Sequence, residues 1–286
     1  MKSDLLLNGF DPNHLASNAS ALESGKILFF PEYFYSHCPP ALMSEAILDA
    51  RHKNVSYDYI KNKLGAYKKE QIDLEEPLRQ MMRGYAEFAI QLIEQALPSY
   101  VPHLQWGRTS FRPAEIKGRA SSKRKDDTRL HVDSFAASPV NGLRILRVFC
   151  NINPHGEPRV WQVGEPFRQV LEQFAPRIPT YSKFTAHLLK MIKATKSLRS
   201  AYDHYMLHLH DTMKLDDRYQ ARVEKNQIDF PAQSSWIVFT DHVSHAALSG
   251  QYLLEQTFYL PVSKMAQPEF SPLYEWKKIK SELALA

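Results

Sequence analysis

The clearest periodic stretch runs from Pro77 to Leu97. Leu78, Met81, Met82, Tyr85, Phe88, Ala89, Leu92, Ile93 and Ala96 recur three and four residues apart, the spacing that lines one face of an α-helix. Pro77 suits a first turn and Pro98 ends the run, and the stripe predicts packing against a sheet. A second helical pattern covers 183–213, where Leu188, Leu189, Ile192, Leu198, Tyr202, Tyr205, Met206, Leu209 and Met213 form the apolar side. Shorter helices are expected over 166–175, after a Ser44 cap with Ile47 and Leu48, and in the tail from Ser271-Pro272 onward. Between them lie short runs rich in β-branched and aromatic residues, bounded by turn formers: 26–30, 109–112, 143–154, 159–163, 227–231, 235–239 and 252–260. These predict strands. Residues 1–24 show no clear period. The pattern predicts one α+β domain over 1–286, mainly β. An antiparallel core at about 105–262 would carry N-terminal helices, a helical insertion at about 183–213 and a C-terminal helix at about 271–284.

Composition narrows the class. A chain of 286 residues that is 44% hydrophobic can bury a sizeable core. Its apolar runs are too short to span a bilayer, and the start lacks the apolar region of a secretory signal. Two cysteines, Cys38 and Cys150, make neither a disulfide framework nor a zinc cluster, so a reducing, cytoplasmic setting is expected. Ten glycines leave no Gly-rich phosphate loop. The net charge of +5 points to an anionic partner: nucleic acid, an acidic membrane surface or a polyanionic substrate.

The candidate chemistry centres on Arg129-Leu130-His131-Val132-Asp133-Ser134-Phe135. On an extended strand, His131 and Asp133 project to one side. One more histidine from a distant strand would complete a 2-His-1-carboxylate triad, the arrangement that holds non-haem Fe(II) with positions left open. The loop before it is basic (Lys117, Arg119, Lys123, Arg124, Lys125, Arg129) and is diluted by Asp126 and Asp127. It reads either as a solvated loop or as a clamp for an anionic substrate. Arg144 and Arg147 are three apart in one strand and so face opposite sides of it. His204 and His208 are four apart on a helix, but no Glu follows His204, and a structural role is the simpler reading.

The order of elements, with His-x-Asp, further strands, an insertion, and then a strand–turn–strand bearing histidine, resembles the double-stranded β-helix (jelly-roll) oxygenases that use Fe(II) and 2-oxoglutarate. The segments 146–154, 158–167, 199–207 and 235–241 resemble the 3-deoxy-D-manno-oct-2-ulosonic acid (Kdo) 3-hydroxylase family more specifically. The resemblance implies a jelly-roll fold, Fe(II), 2-oxoglutarate and O2 as cofactor and co-substrates, and His131, Asp133 and His245 as metal ligands, with His242 a competitor for the third place. It also implies hydroxylation of the Kdo sugar of lipid A or the lipopolysaccharide inner core, by an enzyme peripheral on the cytoplasmic face of the inner membrane, with no nucleic-acid partner. Many jelly-roll relatives place a base about ten residues after the distal histidine, to bind the far carboxylate of 2-oxoglutarate. This chain has Glu255 there, so Arg144, Arg147 and Arg159 are left as candidate anchors. Arg119, Lys123, Arg129 and Trp161 are the candidate substrate-binding residues. The rival readings are a related hydroxylase of another substrate, a basic β-domain binding nucleic acid, and a zinc hydrolase on His204 and His208. The second would need aromatics among the bases of 117–129, and there are none.

Overall fold

The segment Arg144–Asn151 lies within a sheet that is covered on both faces, and all eight of its residues, Arg144 and Arg147 included, are buried. In the computed structural model, which describes residues 5–11, 15–49 and 51–285, the chain runs as follows: β1 (Leu6–Asn8), α1 (Asn18–Glu23), β2 (Ile27–Phe30), β3 (Val55–Asp58), β4 (Lys63–Gly65), α2 (Glu75–Ala96), β5 (Gln105–Arg112), β6 (Arg144–Asn151), β7 (Arg159–Val163), α3 (Phe167–Phe174), α4 (Lys183–Met191), α5 (Ala201–Leu215), α6 (Asp217–Arg222), β8 (Asn226–Phe230), β9 (Ser234–Phe239), β10 (His245–Ser249), β11 (Leu253–Leu260) and α7 (Pro272–Leu285). Eight strands form one sheet in the order β1-β2-β9-β6-β11-β5-β3-β4, and three form a second, β10-β7-β8. Every pairing but β1 with β2 is antiparallel. The two sheets face each other as the expected jelly roll.

Side-chain alternation on β6 sets the layers. Leu146 and Val148 point outward into a core with Ala89, Leu92 and Ile93 of α2, and the Tyr85 hydroxyl donates to the Val148 carbonyl at 2.8 Å. Phe149 points inward, where it stacks on Trp236 and meets Trp161 edge-on. The segment around His131 is extended, as predicted, but it is not a full strand. It joins the small sheet through a single bridge, His131 to His245, and the Asp133 amide then turns to the Thr240 carbonyl at 2.7 Å. Leu130 and Val132 project the other way, into a helical layer of α3, α5 and α7.

The predicted helix over 183–213 is two helices. Lys193 takes a left-handed φ of 59°, which ends α4, and α5 restarts at a capping box in which Ser200 and Asp203 bond each other's backbone. The stretch read as lacking a period contains β1 and α1; residues 1–4 and 12–14 of it lie outside the described residues. Strands β3 and β4 were not anticipated. No helix among the described residues is long and apolar enough to cross a membrane.

Candidate active site

The His131–His245 bridge is reciprocal: each amide donates to the other's carbonyl, at 3.0 and 2.9 Å. It sets the two imidazoles 4.7 Å apart, centroid to centroid. Asp133, two residues along, faces the same space. One potential ligand atom from each of His131, Asp133 and His245 lies within 4.8 Å of the others, and among the described residues this is the one such group of three placed to hold a metal ion. The Nδ1 of His131 lies 2.8 Å from the Arg129 carbonyl, and that of His245 lies 2.8 Å from the Val243 carbonyl. A carbonyl only accepts, so each Nδ1 carries the proton and each Nε2 keeps its lone pair.

Electrostatics suit the same task. Burial, reinforced by the Lys214 charge, drives the His131 pKa well below the ordinary histidine value, and burial also lowers that of His245. Both rings are neutral, the state in which an imidazole can hold a metal. Burial alone would raise the Asp133 carboxyl, but the Arg147 guanidinium overcomes it and holds the group at about 2. Arg147 sits 3.2 Å from Asp133 Oδ2 and 2.9 Å from Glu255 Oε1. The first contact is too oblique for a hydrogen bond, which leaves Asp133 Oδ2 buried without one. Two neutral imidazoles and one ionised carboxylate, with an oxygen that no hydrogen bond occupies, fit an Fe(II) ion.

These groups line a cavity of about 130 Å³ together with Arg112, Asp127, Arg159, Trp161 and Glu255. Glu255 is engaged on both sides: its Oε2 accepts from Arg112 at 2.8 Å, and its Oε1 meets Arg147. Asp127 is paired with Lys53 at 2.8 Å. Arg159 differs. It is 3% exposed, its Nη1 donates to the Gly250 carbonyl at 2.8 Å, and its Nε has no partner. It has no carboxylate partner among the described residues. Burial, then the neighbouring Arg112 charge, depresses its pKa to about 9. Trp161 stacks on His245 at 4.9 Å and 21°, and its indole N–H is unpartnered.

The remaining sequence candidates fall elsewhere. Arg144 is fully buried on the opposite face of β6, paired with Asp241 at 2.9 and 3.2 Å and set over the Phe239 ring at 3.9 Å. Lys123 and Arg129 both bind Asp217, at 2.6 and 2.7 Å, and Arg119 donates to the His52 carbonyl at 3.0 Å. These three pin the basic loop and do not line the cavity. The His242 ring packs on Phe167. His204 gives its Nε2 to the Pro179 carbonyl at 2.8 Å, and the His204–His208 pair belongs to no group of three potential metal ligands among the described residues. Sequence reasoning missed Arg112, Asp127 and His210, whose ring stands 5.3 Å from that of His131. Glu255 was visible only as a departure from the expected base.

Comparison with known proteins bears on this geometry. A family model described as 3-deoxy-D-manno-oct-2-ulosonic acid (Kdo) hydroxylase matches residues 9–282. No curated protein sequence matches. Among solved structures, the Kdo hydroxylase KdoO, a non-heme Fe(II) α-ketoglutarate dependent dioxygenase in complex with α-ketoglutarate and Fe(III), is 41% identical with a TM-score of 0.89, covering 96% of this chain and 95% of that one. The same enzyme with cobalt(II) is 42% identical with a TM-score of 0.90 over the same shares, and with succinate and Fe(III) it is 41% identical with a TM-score of 0.90. A family match over nearly the whole length, joined to likeness of this depth in sequence and backbone, places the chain in the Kdo hydroxylase family.

Proposed function

We propose that this protein hydroxylates Kdo as an Fe(II)- and 2-oxoglutarate-dependent dioxygenase, with His131, Asp133 and His245 holding the iron. The observation that carries the reading is the pair of neutral Nε2 atoms beside an ionised carboxylate, in a cavity whose remaining unpaired charge is a guanidinium. When bound, iron and 2-oxoglutarate supply the oxidising chemistry: one atom of O2 enters the substrate as hydroxyl, the other enters succinate, and CO2 leaves. The chain's own residues prepare the place. The Arg129 and Val243 carbonyls fix both imidazoles in the ligating tautomer, and Arg147 keeps Asp133 ionised and oriented.

Of the three candidate anchors, Arg159 is our choice for the far carboxylate of 2-oxoglutarate. Arg144 is spent on Asp241, and Arg147 on Asp133 and Glu255. Lining the cavity are three guanidiniums (Arg112, Arg147, Arg159) and three carboxylates (Asp127, Asp133, Glu255), and Lys53 already neutralises Asp127. The surplus positive charge therefore sits on Arg159. A dication bound with a dianion leaves that balance as it was. Trp161, walled against His245, is the candidate for sugar contact; Arg119, Lys123 and Arg129 act by holding the basic loop.

We extend the reading to the acceptor: Kdo carried on lipid A, met at the cytoplasmic face of the inner membrane by a peripheral enzyme. The net charge of +5 supports attraction to that anionic surface. The whole chain acts as one catalytic domain, supported by Glu23 in α1, which accepts from the Ala266 and Gln267 amides at 2.8 and 2.6 Å and so ties the first helix to the exit of β11.

The test is anaerobic addition of Fe(II) and 2-oxoglutarate to wild type and to His131→Ala, followed through the weak visible metal-to-ligand charge-transfer band. A band in wild type alone, with succinate release stimulated by Kdo-lipid A under air, is expected. No band and no bound iron in wild type would sink the reading.

A further inference from the structure

The helix α4 is turned inside out. Phe184, Leu188, Met191 and the following Ile192 fall at i, i+4, i+7 and i+8, so they form one stripe. They are 77%, 41%, 73% and 61% exposed. The one buried side chain of the helix is Ala186, on the opposite side. The other exposed large hydrophobic side chains among the described residues are Ile60, Ile72, Leu215, Phe270 and Tyr274, spread over four separate stretches of chain. Single exposed apolar residues need no explanation, whereas a contiguous stripe marks a contact surface.

The stripe is set in the most basic part of the chain. Between Glu172 and Asp203 there is no carboxylate side chain, while Arg177, Lys183, Lys190, Lys193, Lys196 and Arg199 carry six positive charges. The whole protein has a net charge of only +5, so the remainder is net −1. Lys183, Lys190, Lys193 and Lys196 are all exposed. Apolar side chains flanked by lysines on a surface helix match the boundary between acyl chains and anionic headgroups.

The segment that follows α4 is stitched to the rim of the iron site. The Lys196 amide donates to the Ala137 carbonyl at 2.9 Å, and Arg199 Nη2 donates to the Ala136 carbonyl at 2.8 Å. Those carbonyls lie just past Asp133, and the intervening Phe135 faces the Arg147 guanidinium at 5.6 Å. A surface that seated the stripe would also meet the neighbourhood of the cavity.

We propose that α4 is a membrane-docking helix. Phe184, Leu188, Met191 and Ile192 enter the interface of an anionic bilayer, the lysines around them pair with headgroup phosphates, and docking holds the site beside a lipid-anchored acceptor. The acceptor rests on the Kdo reading above; the docking does not.

The experiment is flotation of the full-length protein with vesicles of phosphatidylethanolamine and phosphatidylglycerol, and with phosphatidylcholine vesicles. Wild type is compared with F184S/M191S/I192S and with K190E/K193E/K196E. Wild type is expected to float with the anionic vesicles, and both variants to bind them at least about tenfold more weakly. The charge-transfer band, and turnover of a soluble, acyl-free Kdo glycoside, stay at wild-type level in both variants, while turnover of Kdo-lipid A in vesicles falls. Wild type that does not float, or an apolar-stripe variant that floats as wild type does, overturns the proposal. So does light scattering that shows a wild-type dimer made monomeric by the serine substitutions, because the stripe would then cover a second copy. If wild type floats but hydroxylates neither acceptor, the Kdo reading fails and the docking helix stands.

Discussion

Arg144 and Arg159 are both buried and both on strands, yet their surroundings differ: Arg144 is paired with Asp241, and Arg159 bonds only the Gly250 carbonyl among the described residues. Arg159→Ala is expected to weaken 2-oxoglutarate binding about 100-fold, from the loss of a charge-assisted, bidentate contact, while iron affinity holds; anaerobic titration of the charge-transfer band measures both. Arg144→Met should leave that titration unchanged and instead lower stability by about 3 kcal/mol, read in urea melts, because it strands the Asp241 carboxylate. A third residue sets a pH response. Burial, then the Arg144 charge, lowers the His242 pKa from 6.5 to about 3. Between those values the unfolded chain holds a proton that the folded one does not, so this stabilisation is complete above 6.5 and is lost as pH falls. The stability advantage of wild type over His242→Phe should shrink by about 1.4 kcal/mol per pH unit below 6.5, and parallel pH curves for the two proteins would refute it. That His131 and Asp133 face one space was legible in sequence because the information is local, two residues apart on an extended segment, whereas His245 was picked out by the family resemblance, and the fold brings the three together. Arg112 and Glu255 were not legible, because their meeting depends on β11 pairing with both β5 and β6, which sets Glu255 opposite Ser110 on one side and Phe149 on the other.

At the scale of elements, the junction of α4 and α5 couples the insertion to the site. Asp203 is the pivot. Its carboxylate accepts from the Val140 and Asn141 amides at 2.7 and 3.0 Å, from the Ser200 amide at 3.1 Å and from the Ser200 hydroxyl at 2.5 Å. It therefore caps α5 and anchors the far end of the loop that leaves Asp133. Asp203→Ala should cost about 2 kcal/mol, more than a typical lost cap, since three part-buried amides lose their acceptor at once. Hydrogen exchange should rise across 134–141 and the first turn of α5; a change confined to α5 would show that the loop is held by other means. The capping box is visible in sequence as Ser200-Ala-Tyr-Asp203, but an apolar period continuing from Leu188 to Met213 masks it. That period is real only in its second half. Tyr202, Met206, Leu209 and Met213 are buried against α3 and α7, whereas Leu188 and Ile192 face solvent. Periodicity reports which residues share a face and says nothing of what that face meets.

For the whole molecule, the cavity stores a cost that its ligands should relieve. His131, Asp133 and His245 turn polar atoms into one cavity, and the Arg159 guanidinium beside them has no carboxylate partner among the described residues. Folding must desolvate all of these, a cost that a bound cation and a carboxylate would offset. Iron and 2-oxoglutarate require the site assembled from the bridge between His131 and His245, strand β7 and the sheet behind it, so they bind the native state and not the unfolded chain. Each at about 100 times its dissociation constant would add roughly 2.7 kcal/mol. For a domain of this size that corresponds to a rise of about 5 °C in Tm per ligand. Calorimetry under anaerobic conditions should therefore show one cooperative transition that climbs in two steps, first with Fe(II) and then with 2-oxoglutarate, and that falls back when a chelator is added. In His131→Ala both steps should vanish, because the co-substrate's chelating end has no iron to meet. In Arg159→Ala the first should survive and the second shrink. If 2-oxoglutarate stabilised the His131 variant as much as wild type, it would be binding through its carboxylates alone, and the site would be a diacid pocket with no need of a metal.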